Sequence, residues 1–166
     1  MTKIFNTYPK LKLAEIEEVE DFVGLTFPYE YKAHLLQYNG GECEPNVFSF
    51  WENGRETNSD INWFLGIHPG ADENLLSYIE SYKIKQARLP RHILPFAFDS
   101  FGNLICISCG GSDVGKIYFW DHEKEVDYMR SDDSNYSNLY LIANNFDEFL
   151  DGLQDESEII GEDEEE

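Results

Sequence analysis

The segment Phe27-Pro-Tyr-Glu-Tyr-Lys-Ala-His-Leu-Leu-Gln-Tyr-Asn-Gly-Gly41 predicts one complete helix with a marked start and a marked end. Pro28 fits the first helical turn, because the N–H that proline lacks would have no partner there. Apolar side chains then recur at i, i+4 and i+7, which predicts one buried face: Tyr31, Leu35 and Tyr38. Residues 39–41 close the helix, since Asn and Gly tolerate the left-handed backbone that terminates helices.

Three other helices are predicted around this segment. In the first, apolar residues recur at helical spacing before the helix stop Gly24: Leu13, Ile16, Val19 and Val23. Its acidic residues are expected to form a solvated face opposite that stripe: Glu15, Glu17, Glu18, Glu20 and Asp21. A third helix is predicted from Asp72 or Glu73 to about Lys85, and a last one contains residues 146–153 behind the capping pair Asn145 and Glu148.

The β-rich part of the chain reads as short strands joined by Gly-containing turns. Such connections predict hairpins and, taken together, an antiparallel meander. A polar loop is expected at residues 53–60, between the first two strands. The candidate strands are residues 44–51, 61–67, 93–98, 104–109, 116–120, 126–129 and 139–142.

Charge divides the chain into two parts. A length of 166 residues with 42% hydrophobic content is enough for one domain with its own core, assigned here to residues 1–155. Residues 1–130 contain 20 acidic and 12 basic residues, a net charge near −8, whereas residues 131–166 contain 13 acidic residues and no basic one. Residues 156–166 are therefore expected to be an acidic, disordered tail.

The net charge of −21 also limits the partners. Nucleic acid and anionic membranes would be repelled, so a protein with a basic surface is the favoured partner. No segment has the apolar length of a signal peptide or of a membrane span, which predicts a cytoplasmic protein. An odd number of cysteines, three, fits reduced thiols in that compartment.

The order of these segments resembles that of the SUKH superfamily. Residues 27–41 resemble its opening signature, with Phe27 where Leu is commoner. Later segments follow in the same order: Leu94–Asp99 with Gly102 and Asn103, then Ile117–His122, then Ala143–Leu150. The resemblance spans residues 13–153, and the loop at residues 53–60 has no counterpart in it.

This resemblance implies an α+β fold, a single domain in which helices pack against a curved antiparallel sheet. It also implies a role, since bacterial members are largely immunity proteins that bind and neutralise toxins used in competition. Eukaryotic relatives include a regulator of yeast cell-wall synthesis. The residues that carry the resemblance shape the backbone or fill the core, so it transfers no catalytic residue to this chain.

No catalytic residue, metal or cofactor is predicted. The pair Cys106 and Cys109 is the one motif that suggests metal or redox chemistry. Residues three apart on a strand point to opposite faces, and zinc needs about four ligands, so structural cysteines are favoured over a metal site or a redox pair. The histidines that could complete such a site are scattered: His68, His92 and His122.

The leading hypothesis is an immunity protein whose acidic surface binds a basic toxin, with a nuclease as the natural target. The alternative is a non-enzymatic regulatory adaptor in cell-envelope or stress physiology, and a small hydrolase or metal enzyme is a third possibility. Residues at the ends of predicted elements are the candidates for binding the partner: Glu42, Glu44, Trp51, Glu52, Asp113, Asp132 and Asp133.

Overall fold

A computed structural model describes residues 2–155, which form an α+β domain. The α-helices are α1 (Leu13–Val23), α2 (Tyr29–Gln37), α3 (Leu75–Tyr78), which continues with π-helical hydrogen bonding over Ile79–Lys85, and α4 (Phe146–Asp151). The strands are β1 (Lys3–Phe5), β2 (Glu42–Glu44), β3 (Val47–Glu52), β4 (Arg55–Asp60), β5 (Trp63–Phe64), β6 (Ile93–Phe98), β7 (Leu104–Ser108), β8 (Ile117–Trp120) and β9 (Leu139–Ala143).

The main sheet has the strand order β5-β6-β7-β8-β9, and every neighbouring pair is antiparallel. The predicted meander is therefore confirmed. Register shifts between Pro95 and Ala97 and between Ile117 and Tyr118 interrupt the regular pairing. Two smaller antiparallel pairs are formed by β1 with β2 and by β3 with β4.

Both faces of strands β6 to β8 are buried, because alternate side chains enter two separate apolar clusters. On β7, Ile105 and Ile107 join the larger cluster, which also contains residues of α1, α2, α4 and β3. Leu104 and Cys106 point the other way into a smaller cluster covered by Leu89 and its neighbours. Cys109 packs against the larger cluster, so the two thiols do lie on opposite faces, as predicted.

The Asn-Gly-Gly turn after α2 brings three parts of the chain together. The Asn39 side-chain amide donates to the carbonyls of Pro9 and Ile67 at 2.8 Å each, and its Oδ1 accepts from the Ile67 N–H at 2.7 Å. Gly41 has a φ of +104°, and a Cβ built on it would lie 2.6 Å from the Phe5 carbonyl oxygen. The sequence predicted the end of the helix here, but the close packing against β1 appears only in the structure.

Helices α1 and α2 are joined by a buried carboxylate. Glu20 was expected on a solvated face, and that expectation is wrong, because Glu20 is buried between the two helices. Its Oε1 lies 2.7 Å from the Lys32 Nζ, and its Oε2 accepts from the Phe27 N–H at 2.7 Å. The helical periodicity of α1 could not reveal these partners, because they lie 7 and 12 residues further along the chain.

The polar loop predicted at residues 53–60 is in fact mostly strand, since β4 occupies Arg55–Asp60 and pairs with β3. Side-chain hydrogen bonds replace apolar packing there: Ser49 donates to Asn58, and Ser59 donates to Asp99, both at 2.7 Å. A strand without apolar residues lacks the alternation by which strands are predicted.

Other boundaries also differ from the predictions. The strand expected at residues 61–67 is reduced to β5. The strand expected at residues 126–129 is a turn, in which the Tyr128 N–H donates to the Ala87 carbonyl. Helix α3 starts at Leu75, because the Oδ1 of Asn74 caps it by accepting from the Ser77 N–H. The predicted tail, residues 156–166, lies outside the described residues.

We expect Gly41→Ala to lower the free energy of unfolding by about 3 kcal/mol, because it combines an unfavourable positive φ with a collision against the Phe5 carbonyl. Gly54→Ala is the matched control, since Gly54 also has a positive φ, +77°, but no atom within 4 Å of the added Cβ. It should cost only about 1 kcal/mol. Urea denaturation of both variants measures the difference, and equal losses would contradict the proposed packing.

Candidate partner-binding surface

The structure distributes the seven predicted binding residues over three places. Glu42 and Glu44 lie on β2, and Trp51 and Glu52 lie at the end of β3. Asp113 and Asp133 line one cleft beside the turn between β7 and β8, and Asp132 is next to that cleft in the chain. Each place is built by different elements, so each has its own chemistry.

The β2 site is an edge with one free carboxylate. Glu44 is exposed and lies opposite Lys3 in the pairing of β1 with β2. Glu42 is only half-exposed, and its Oε2 accepts from the Asn6 Nδ2 at 2.7 Å. Of these two acids, Glu44 is the more available to a partner.

The β3 site contains the largest exposed aromatic side chain of the described residues. Trp51 is 64% exposed and lies opposite Glu56 across the hairpin of β3 and β4. Glu52 is paired instead, with its Oε1 3.3 Å from the Lys124 Nζ. The same ammonium group donates to the Tyr140 hydroxyl. Trp51 therefore offers apolar area to a partner, of the kind that often dominates protein interfaces.

Asp113 is the centre of a hydrogen-bond network rather than a free surface charge. Its Oδ1 accepts from the Ser108 hydroxyl at 2.7 Å. Its Oδ2 accepts from the hydroxyls of Tyr118 at 2.7 Å and Tyr136 at 2.8 Å. The carboxylate thus ties β7, β8 and the segment that precedes β9 to one point.

The electrostatics of this network favour the charged carboxylate. Burial alone would raise the pKa of Asp113, but the hydrogen bonds from Tyr118, Ser108 and Tyr136 outweigh it and hold that pKa below its usual range. Burial, followed by the hydrogen bond to Asp113, raises the pKa of both tyrosines. The tyrosines therefore stay protonated at neutral pH and donate to the Asp113 carboxylate.

Asp133 in the cleft and Asp132 beside it also have partners within the chain. The Asp133 Oδ1 accepts from the Arg91 N–H at 3.0 Å, and its other oxygen lies 3.8 Å from the Arg91 Nε. Asp132 is exposed and accepts from the Ser134 N–H at 2.9 Å. Lys83 holds the facing loop by donating to the carbonyls of Pro90, Arg91 and Ile93.

The cleft and the hairpin site lie at opposite ends of β8. Asp113 precedes the start of this strand, at Ile117, whereas Lys124, which contacts Glu52, follows its end at Trp120. The seven residues therefore do not form one continuous surface. Sequence reasoning also missed His92 and Tyr136, which contact each other in the cleft, because they are 44 residues apart.

Two further properties limit what the described residues can do. Among residues 2–155, no three His, Cys, Asp or Glu side chains come close enough together to hold a metal ion. Within the same range, no helix has the length and apolar character that crossing a membrane requires.

Comparison with known proteins identifies the family. Residues 10–152 match the model of the SMI1 / KNR4 family (SUKH-1). The chain belongs to this family. The match covers nearly the whole range of the resemblance found in the sequence and confirms it. Domains of the SUKH type are generally immunity proteins rather than enzymes.

A bacterial relative extends the comparison. The chain is 31% identical over 166 aligned residues to the SPbeta prophage-derived uncharacterized protein YokK of Bacillus subtilis (strain 168). The alignment covers 90% of this chain and 78% of the relative, so the similarity extends over the SUKH domain and is not confined to one motif.

We expect Asp113→Ala to lower the free energy of unfolding by about 2 kcal/mol, since three buried or half-buried hydroxyls lose a charged acceptor. The control Glu44→Gln removes one exposed charge and should change the free energy of unfolding by less than about 0.5 kcal/mol. Chemical denaturation at neutral pH compares the two. A loss as small for Asp113→Ala as for the control would show that the network does not stabilise the fold.

Proposed function

We propose that this SUKH protein is an immunity protein that binds and neutralises a cognate bacterial toxin through its acidic surface. The family match over residues 10–152 is the observation that carries the proposal. The prophage origin of the YokK relative supports a role in competition between bacteria. Both carboxylate oxygens of Asp113 already accept hydrogen bonds within the chain, which supports a structural role for this residue rather than a catalytic one.

Charge indicates the nature of the toxin. A protein of net charge −21 attracts a basic surface and repels nucleic acid. Nucleases have positive clefts that hold phosphates, so an acidic protein can occupy or shield such a cleft. A cytoplasmic nuclease toxin is therefore the target that we propose, and the protein would act in the same compartment. Residues 156–166 add seven acidic residues to this field.

The geometry ranks the predicted contact residues. Trp51 and Glu44 are exposed, and neither needs to break a described hydrogen bond between side chains to meet a partner. Glu52, Asp113 and Asp133 would each have to give up a partner within the chain. We therefore propose that Trp51 and Glu44 contribute more to binding than the acids of the cleft.

Co-expression with the toxin tests the function. The candidate toxin is the C-terminal domain encoded by the open reading frame next to the gene of this protein. We expect that domain to arrest growth when expressed alone, and growth to be restored when this protein is expressed with it. The two proteins should also purify as a complex.

Growth arrest without rescue, and without a complex, would contradict immunity and favour the regulatory adaptor. An unrelated acidic protein of similar charge is the control. Rescue by that control as well would show that charge alone protects the cell, and would remove the case for a specific complex.

The association rate constant should depend strongly on salt, because long-range attraction between an acidic protein and a basic toxin accelerates their encounter. Between about 50 mM and about 500 mM NaCl we expect it to fall about tenfold or more, as screening shortens the range of the field. Stopped-flow mixing of the two purified proteins measures this rate. An unchanged rate would exclude electrostatic steering while leaving immunity itself intact.

A further inference from the structure

An open apolar groove lies between α1 and α3, and none of the seven predicted binding residues lines it. Its volume is about 430 Å³. Val19, Ile67 and Leu76 form its floor, and Phe22 stands at its side with 55% of its surface exposed. A large apolar side chain left this open on a charged helix buries little within the fold, so it is available to a partner.

The rim of the groove is acidic. Glu15, Glu18 and Glu80 line it, and no Lys or Arg does. Glu80 lies 3.3 Å from the Lys85 Nζ, but both side chains are largely exposed, so this pair is weak. Within residues 2–155, the Glu18 side chain makes no hydrogen bond or ion pair, which leaves its charge available.

Helix α1 as a whole carries more negative charge than its own structure favours. It contains five acidic residues and no basic one, and Asp21 lies in its last turn. The carboxyl end of a helix already has a partial negative charge, which repels acidic side chains there. A cation bound along this helix would relieve that repulsion, since among residues 2–155 only Glu20 of α1 has an ion-pair partner, Lys32.

Charge decides between the possible occupants of the groove. A second copy of the protein would bring another net charge of −21. The chain's own residues 156–166 contain seven acidic residues and no basic one, so the glutamates of the rim repel them. The groove therefore fits a foreign segment that is both apolar and basic.

We propose that the groove between α1 and α3 binds a segment of the toxin that presents an apolar side chain flanked by Lys or Arg. The apolar side chain enters the groove beside Phe22, and the cations pair with Glu15 and Glu18. That the partner is a toxin rests on the proposed immunity function. The preference of the groove for an apolar and basic segment is independent of that function and follows from its lining residues.

A peptide tests the groove without the toxin. The probe is a synthetic 14-residue peptide of Leu and Lys at helical spacing, titrated into the full-length protein and followed by amide chemical shifts. The largest shifts are expected around Glu18, Phe22 and Leu76. A peptide with Ser in place of Leu has the same charge and should bind at least tenfold more weakly. Shifts spread over the whole acidic surface, or equal binding of the two peptides, would overturn the proposal.

Single substitutions test whether groove residues contribute to binding of the peptide. Phe22→Ser and Glu18→Lys should each weaken binding of the Leu and Lys peptide at least tenfold. Phe101→Ser is the control, because Phe101 is 72% exposed in the turn between β6 and β7, outside the groove. Unchanged thermal unfolding of all three variants would show that they fold. Equal affinity of Phe22→Ser and Phe101→Ser for the peptide would overturn the groove.

Co-expression of the variants with the toxin distinguishes the groove proposal from the immunity proposal. If the unmodified protein and Phe101→Ser restore growth but the double variant Phe22→Ser, Glu18→Lys does not, the groove is part of the toxin-binding surface. If the double variant restores growth as well as the unmodified protein, the groove inference is wrong and the immunity function stands. If the unmodified protein fails to restore growth, the immunity function is wrong, and the peptide titration alone decides whether the groove binds basic apolar segments.

Discussion

The burial of the central strands of the main sheet on both faces is the constraint on which the rest of the structure depends. Every residue of β7, from Leu104 to Ser108, is buried, and the side chains of Leu104 to Ile107 alternate between the two apolar clusters. Strands covered in this way offer no open face to a ligand. Binding is left to the outer sides of the helices, the hairpin of β3 and β4, and the turns.

The elements that could be predicted are those whose own residues determine them. Helix α1 shows its apolar period within eleven residues, and α2 has Pro28 before its start and Asn-Gly-Gly at residues 39–41 after its end. The strands β6 to β8 are continuous apolar runs separated by turn residues. In each case the physical reason for the structure is local, so the pattern is visible in a short segment.

The elements that were missed depend on partners far away in the chain. Strand β4 is polar and is a strand because β3 pairs with it. Tyr128 lies in a turn, and its N–H donates to the carbonyl of Ala87, about forty residues earlier. From the sequence, Asp113 is predicted to be a surface charge. In the structure it accepts a hydrogen bond from the distant Tyr136. The exposure of Phe22 could have been predicted, because Phe22 lies outside the apolar stripe that α1 turns towards the core.

Charge and shape contribute differently to recognition in such a protein. A field from many acidic residues acts on any basic protein and falls off over roughly 8 Å at physiological salt, so it accelerates encounters without choosing among them. Choice requires a contact that a wrong partner cannot make, such as an apolar side chain that must fit a groove of fixed width. The groove beside Phe22 combines both, because its acidic rim attracts cations while its apolar lining must be matched by an apolar side chain. Specificity in a strongly acidic binding protein is therefore to be sought where its surface is apolar.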